Sequence, residues 1–160
     1  MNPVHLHLLL NHLPVVGTAF TLVLLLVALA KNSAELKRVS LAFLVLVALL
    51  AVPVYLTGEP AEELVMQLEG IDESFIERHQ GAAQWAFGAQ VALGVLALAG
   101  LFVTRQSKPL PKWCAGALLA LALLVSGLMA RTANLGGQIR HPEIRASQPP
   151  AAGAHRPDER

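Results

Sequence analysis

Charge is scarce in this chain: Asp, Glu, Lys and Arg make up 14% of its 160 residues, against about 25% in soluble domains. Water is therefore not the solvent that most of it is built for. The formal net charge of +1 creates no one-sided field to gather nucleic acid or an acidic partner, so basic-patch functions drop out. The single cysteine, Cys114, cannot close an intramolecular disulfide and is silent on redox compartment. No CxxCH motif is present, which excludes covalently attached c-type haem. No phosphate-binding glycine loop and no motif pairing a nucleophile with a base occurs, so nothing points to hydrolysis or to any other catalytic class. Short alternating runs that would build a sheet are missing as well.

What is present is apolar sequence in four long blocks, from Leu6 to Ala30, Val39 to Leu56, Ala82 to Val103 and Trp113 to Ala130. At 1.5 Å per residue each can cross roughly 30 Å of hydrocarbon. The reading is an all-α, four-transmembrane-helix up-and-down bundle whose main partner is a lipid bilayer. The first block is not read as a signal peptide, because no Lys or Arg precedes it while Lys31 follows it directly. The links between Lys31 and Arg38 and between Thr104 and Lys112 contain every lysine, and ten of the eleven acids lie on the other side. The positive-inside rule then makes both links cytoplasmic and puts both termini outside.

The long link from Thr57 to Gln80 has its own punctuation. Pro60 predicts the first turn of a short amphipathic helix lying on the membrane surface, with Leu64, Val65 and Leu68 on one face and Gly70 as its stop. Ser74 and Glu77 match a capping box that would start the third helix before its apolar block. The fourth helix is expected to end after Gly136 and Gly137. Residues 1–145 form the expected bundle domain, and residues 146–160, rich in Pro, Ala and charge, form an expected disordered tail.

An up-and-down bundle brings the starts of helices one and three and the ends of helices two and four to one membrane face. Segments around His12, Glu59, His79 and His141 thus converge there, and Pro14 and Pro53 would interrupt backbone hydrogen bonding just beneath. His5 and His12 share a helical stripe from which His7 points away, and His12 is the one expected to face inward. His79 continues along its helix as Ala83, Ala86 and Gln90, which leaves room beside the ring. Two imidazoles from facing helices are what bis-histidine haem requires, with arginines for the propionates. The sharpest form of this idea places haem b at His12, His79, Arg131, Arg140 and His141. A rival site gathers Glu59, Glu63, Glu77, His79 and His141 around a transition metal ion. The competing view is that the acids stay solvated and the small residues only pack helices.

A His followed shortly by Pro (His12, Pro14), a Thr-Gly pair (Thr57, Gly58), a His opening helix three (His79) and a Gly-Gly with a later His (Gly136, Gly137, His141) resemble a family of bacterial four-helix membrane proteins. Some of its members are fused to Rieske iron-sulfur domains. The resemblance runs from about Pro3 to Arg145 and implies a role near quinol or cytochrome electron transfer, with a quinone or a respiratory-type membrane complex as partner. The expectation is an electron-transfer protein; the alternative is a non-redox structural or assembly subunit that docks through its small-residue surfaces.

Overall fold

A computed structural model describes residues 2–105 and 108–145. It is helical, with no strand among the described residues, and four of its segments are long and apolar enough to cross a membrane. The residues expected to form a disordered tail, 146–160, lie outside the described part.

The first crossing is made of two helices with one residue between them, α1 (Pro3–Leu10) and α2 (His12–Ala30). Asn2 opens α1 by accepting from the Val4 amide at 2.9 Å, with Pro3 in the first turn, where a missing N–H costs nothing. The hitch at Asn11 has a local cause, since Pro14 has no N–H to offer the Leu10 carbonyl four residues back and its ring crowds that carbonyl. Asn32, at φ 46°, turns the chain, and the Ser33 side chain caps α3 (Ala34–Val65) by accepting from Leu36.

α3 departs from expectation. It runs unbroken through Pro53 and Pro60, so the segment expected as a separate surface helix is the last turns of a 32-residue helix. Proline removes one rung of the ladder but does not stop a helix whose neighbours hold it, and Ala61 is buried there. The chain turns at Gly70, in the left-handed region at φ 77°. α4 (Glu73–Val103) begins as early as expected, but its cap is Asp72, whose carboxylate accepts from the Ser74 amide at 2.9 Å. α5 (Lys112–Arg140) passes straight through Gly136 and Gly137, and a 3-10 turn (Pro142–Ile144) follows it.

α2, α3, α4 and α5 each pack against the next and α5 closes the ring against α2, which leaves α2 diagonal to α4 across the core. Leu25, Leu41, Leu44, Leu93, Leu118 and Val125 fill the centre and are almost wholly shielded. Lipid is as apolar as leucine, so close packing rather than escape from water holds such helices together. Gly94 lies so close to the Ala48 side chain, and Gly17 to the Val47 side chain, that a Cβ at either position would overlap its neighbour. The outward faces carry Val16, Val23, Leu49, Val95, Leu123 and Leu124, all exposed to what must be lipid.

Candidate functional site

The histidine that turns into the bundle from the first crossing is His7. It lies on the stripe that continues as Asn11, Pro14, Thr18 and Thr21, the last three of which are buried. Its Nδ1 donates to the Val54 carbonyl of α3 at 3.1 Å and lies 3.2 Å from the Thr57 hydroxyl, which itself donates back to α3 carbonyls. The ring packs beside Gly58. His12, the first residue of α2, is exposed and its Nδ1 reaches only the Leu8 carbonyl in α1, at 3.2 Å.

His79 repeats the arrangement of His7 on the other side of the bundle. Its Nδ1 donates to the Thr132 carbonyl of α5 at 3.0 Å, and the ring lies so close on Gly136 that a Cβ there would sit 3.0 Å from Cε1. This explains why the double glycine does not end α5: Gly136 makes room for an imidazole, and Gly137 for Ile144 of the 3-10 turn. A carbonyl can only accept, so in both rings Nδ1 carries the proton and Nε2 is left with its lone pair. Neither Nε2 has a hydrogen-bond partner among the described residues.

Below the imidazoles the diagonal helices meet through Gln90, which is 0% exposed. The Thr18 hydroxyl is 2.8 Å from Gln90 Oε1 and 2.6 Å from the Pro14 carbonyl, but it has one proton for two acceptors. Turning the amide over lets Gln90 donate to Thr18 and Thr18 donate to Pro14, with each proton used once. Beneath this layer the buried polar side chains are the hydroxyls of Thr21, Ser40 and Thr104, each donating to a carbonyl one turn back in its own helix.

The remaining candidate residues do not join the imidazoles. Glu59, Glu63 and Glu77 are exposed, and no group of three or more His, Cys, Asp or Glu among the described residues is placed to hold a metal ion. Arg140 is exposed. His141 is exposed as well, its Nδ1 donating to Glu143 at 2.9 Å rather than folding over the bundle mouth. Arg131 lines an outward groove of about 270 Å³ between α4 and α5 with Glu77, Arg78, Gly81, Ala82 and Trp85. The residue that does fold back is Arg145, which sequence reasoning passed over. Its guanidinium donates to the Gln138 and Ile139 carbonyls at 2.8 and 3.1 Å and stacks 4.1 Å over the Phe75 ring, closing the end of α5 against the start of α4.

Outside the spans, two carboxyls are held low. Asp72 is held below the usual carboxylate range by the Ser74 hydroxyl and then the Ser74 amide, and Glu143 by its own backbone amide and then by His141.

A family model described as "Predicted membrane protein (DUF2231)" matches residues 3–141. The chain belongs to this family. The matched DUF2231 region runs from the first residue of α1 to the residue after α5, so it takes in both imidazoles and their carbonyl anchors. No curated protein and no solved structure matches the chain.

Proposed function

We propose that this protein holds a metal-bearing group between His7 and His79, haem b being the form that best suits the ligand set, and that it serves one-electron transfer. The observation that carries this reading is the shared tautomer. Each imidazole gives its Nδ1 proton to a main-chain carbonyl of the neighbouring helix, which fixes the ring and leaves Nε2 as an unprotonated ligand, the support that metal-binding histidines ordinarily have. Two protein ligands are few for a bare ion, and no third acid or thiol stands with them among the described residues. Two are enough for iron in a porphyrin, which brings four nitrogens of its own. When bound, that group supplies reversible ferrous and ferric iron. The protein's own part is to orient the rings, through Val54, Thr57 and Thr132, and to keep water from the layer beneath, through Gln90, Leu93 and Leu25.

In this reading the histidine end faces the periplasm of a bacterial inner membrane and the lysine-bearing links face the cytoplasm, with electrons exchanged with quinone or a respiratory-type membrane complex. The lysine placement supports the orientation. Arg131 and Arg140 are not assigned to propionates, because both are exposed and neither joins the imidazole layer.

The test is the ultraviolet and visible spectrum of the protein purified in mild detergent. A Soret band is expected in the parent and is expected to be lost or shifted in His7→Ala and in His79→Ala, while His12→Ala leaves it unchanged. A band that survives both inward variants would remove these ligands. A colourless protein carrying stoichiometric metal would replace haem with a bare ion. A second reading, a subunit that docks other helices, rests on the apolar groove of about 170 Å³ between α3 and α4, floored by Ala48 and Gly94. It takes precedence if the parent protein carries neither haem nor metal.

A further inference from the structure

The buried positions of the first crossing recur in the third. Pro14, Thr18, Thr21, Leu25 and Ala28 of α2 correspond to Ala86, Gln90, Leu93, Ala97 and Gly100 of α4, every pair 72 residues apart and every member buried. His7 and His79 stand at the same separation. The second and fourth crossings do likewise. Ser40, Leu44, Val47 and Ala51 of α3 correspond to Leu118, Ala122, Val125 and Met129 of α5, all buried and all 78 apart. At that same separation stand the carbonyl anchors, Val54 and Thr132, and the glycines beside the rings, Gly58 and Gly136. The change from 72 to 78 falls where α2 joins α3 and α4 joins α5, so it alters only the length of the two lysine-bearing links.

Matching depth along all four helices, with α2 diagonal to α4, is the signature of two helical hairpins related by a two-fold axis along the bundle. The residues nearest that axis are those whose equivalents touch each other. Thr18 and Gln90 are equivalent and hydrogen-bonded across the core, so the axis runs between them and up between His7 and His79.

We infer that the chain is a tandem pair of hairpin repeats and that the group bound by the imidazoles lies on the axis, offering equivalent coordination positions to both. This rests on the paired-imidazole reading above and narrows its ligand class. His7 and His79 would hold such a group as two equivalent ligands, which suits a planar metal macrocycle.

Two measurements test the inference separately. The first ignores the ligand: thermal unfolding in detergent of Thr18→Gln, Gln90→Thr and the double exchange. Equivalence predicts that the double variant unfolds near the parent temperature although each single variant is destabilised, because exchange re-forms the same pair in the opposite sense. A double variant that loses as much as the two singles together would overturn the repeat. The second compares the absorption spectra of His7→Ala and His79→Ala. An axial site predicts the same change in both, from two-imidazole to one-imidazole ligation, with free imidazole restoring the parent spectrum in each. Loss in one variant beside an unchanged spectrum in the other would overturn the axial site while leaving the repeat standing. A colourless parent would sink the paired-imidazole reading and the axial ligand with it, and the exchange experiment would still decide the repeat.

Discussion

Gly58 and Gly136 are equivalent in place but not in tolerance. A Cβ at Gly58 would lie 3.7 Å from His7 Cε1, an ordinary contact, whereas at Gly136 it would lie 3.0 and 3.1 Å from two atoms of His79. Alanine favours a helix over glycine by about 1 kcal/mol. Gly58→Ala should therefore raise the unfolding temperature, and Gly136→Ala should lower it, since overpacking of this kind costs about 1–3 kcal/mol. Melting curves of the two variants in one detergent check the opposite signs; equal stabilisation would mean that His79 is free to move. At this scale the sequence was only half legible. His79 announces itself by the small residues that follow it. His7 was hidden among three histidines, and the signal that picks it out is the interior stripe of Thr18 and Thr21, hydroxyls in an otherwise hydrocarbon helix.

Among the elements, helix existence was legible and helix ends were not. The four apolar blocks have the length that a bilayer demands, and each lies in a helical segment long and apolar enough to cross one. Pro60 and the Gly136–Gly137 pair were read as start and stop signals, yet neither marks a helix boundary. Each is a weak local preference, and packing against a neighbouring helix outweighs it: Ala61 is buried beyond Pro60, and His79 occupies the space that Gly136 leaves. The true start of α4 is Asp72. Its carboxyl is held below the ordinary value of 3.8, so the cap contributes fully above that value and is lost as pH falls through the lowered one. Amide protection in the first turn of α4, followed by hydrogen exchange corrected for intrinsic rate, should fall over that acidic window in the parent. In Asp72→Asn the same window should show no change. An identical acid response in both would take the cap out of the account.

For the molecule as a whole, the distribution of lysine predicts the orientation. Cys114 is buried, which leaves a quiet background for thiol labelling. A membrane-impermeant maleimide added to spheroplasts should modify Gln67→Cys, in the exposed turn between α3 and α4, and should spare Lys108→Cys. The reverse pattern would put the imidazoles on the cytoplasmic side. The repeat escaped detection in the sequence because most paired positions are interchangeable hydrocarbon, and the polar pair that meets on the axis is Thr against Gln. Only spatial depth makes them comparable. The same architecture has a consequence for how the protein can be divided. The turn from Met66 to Asp72 is the sole covalent join between two pieces, each of which owns one imidazole and the carbonyl that steadies it. If the two imidazoles share a bound group as proposed, neither fragment cut there would hold it by itself. On that proposal colour would return only where the fragments met in one bilayer, which would make the divided molecule a reporter of its own assembly.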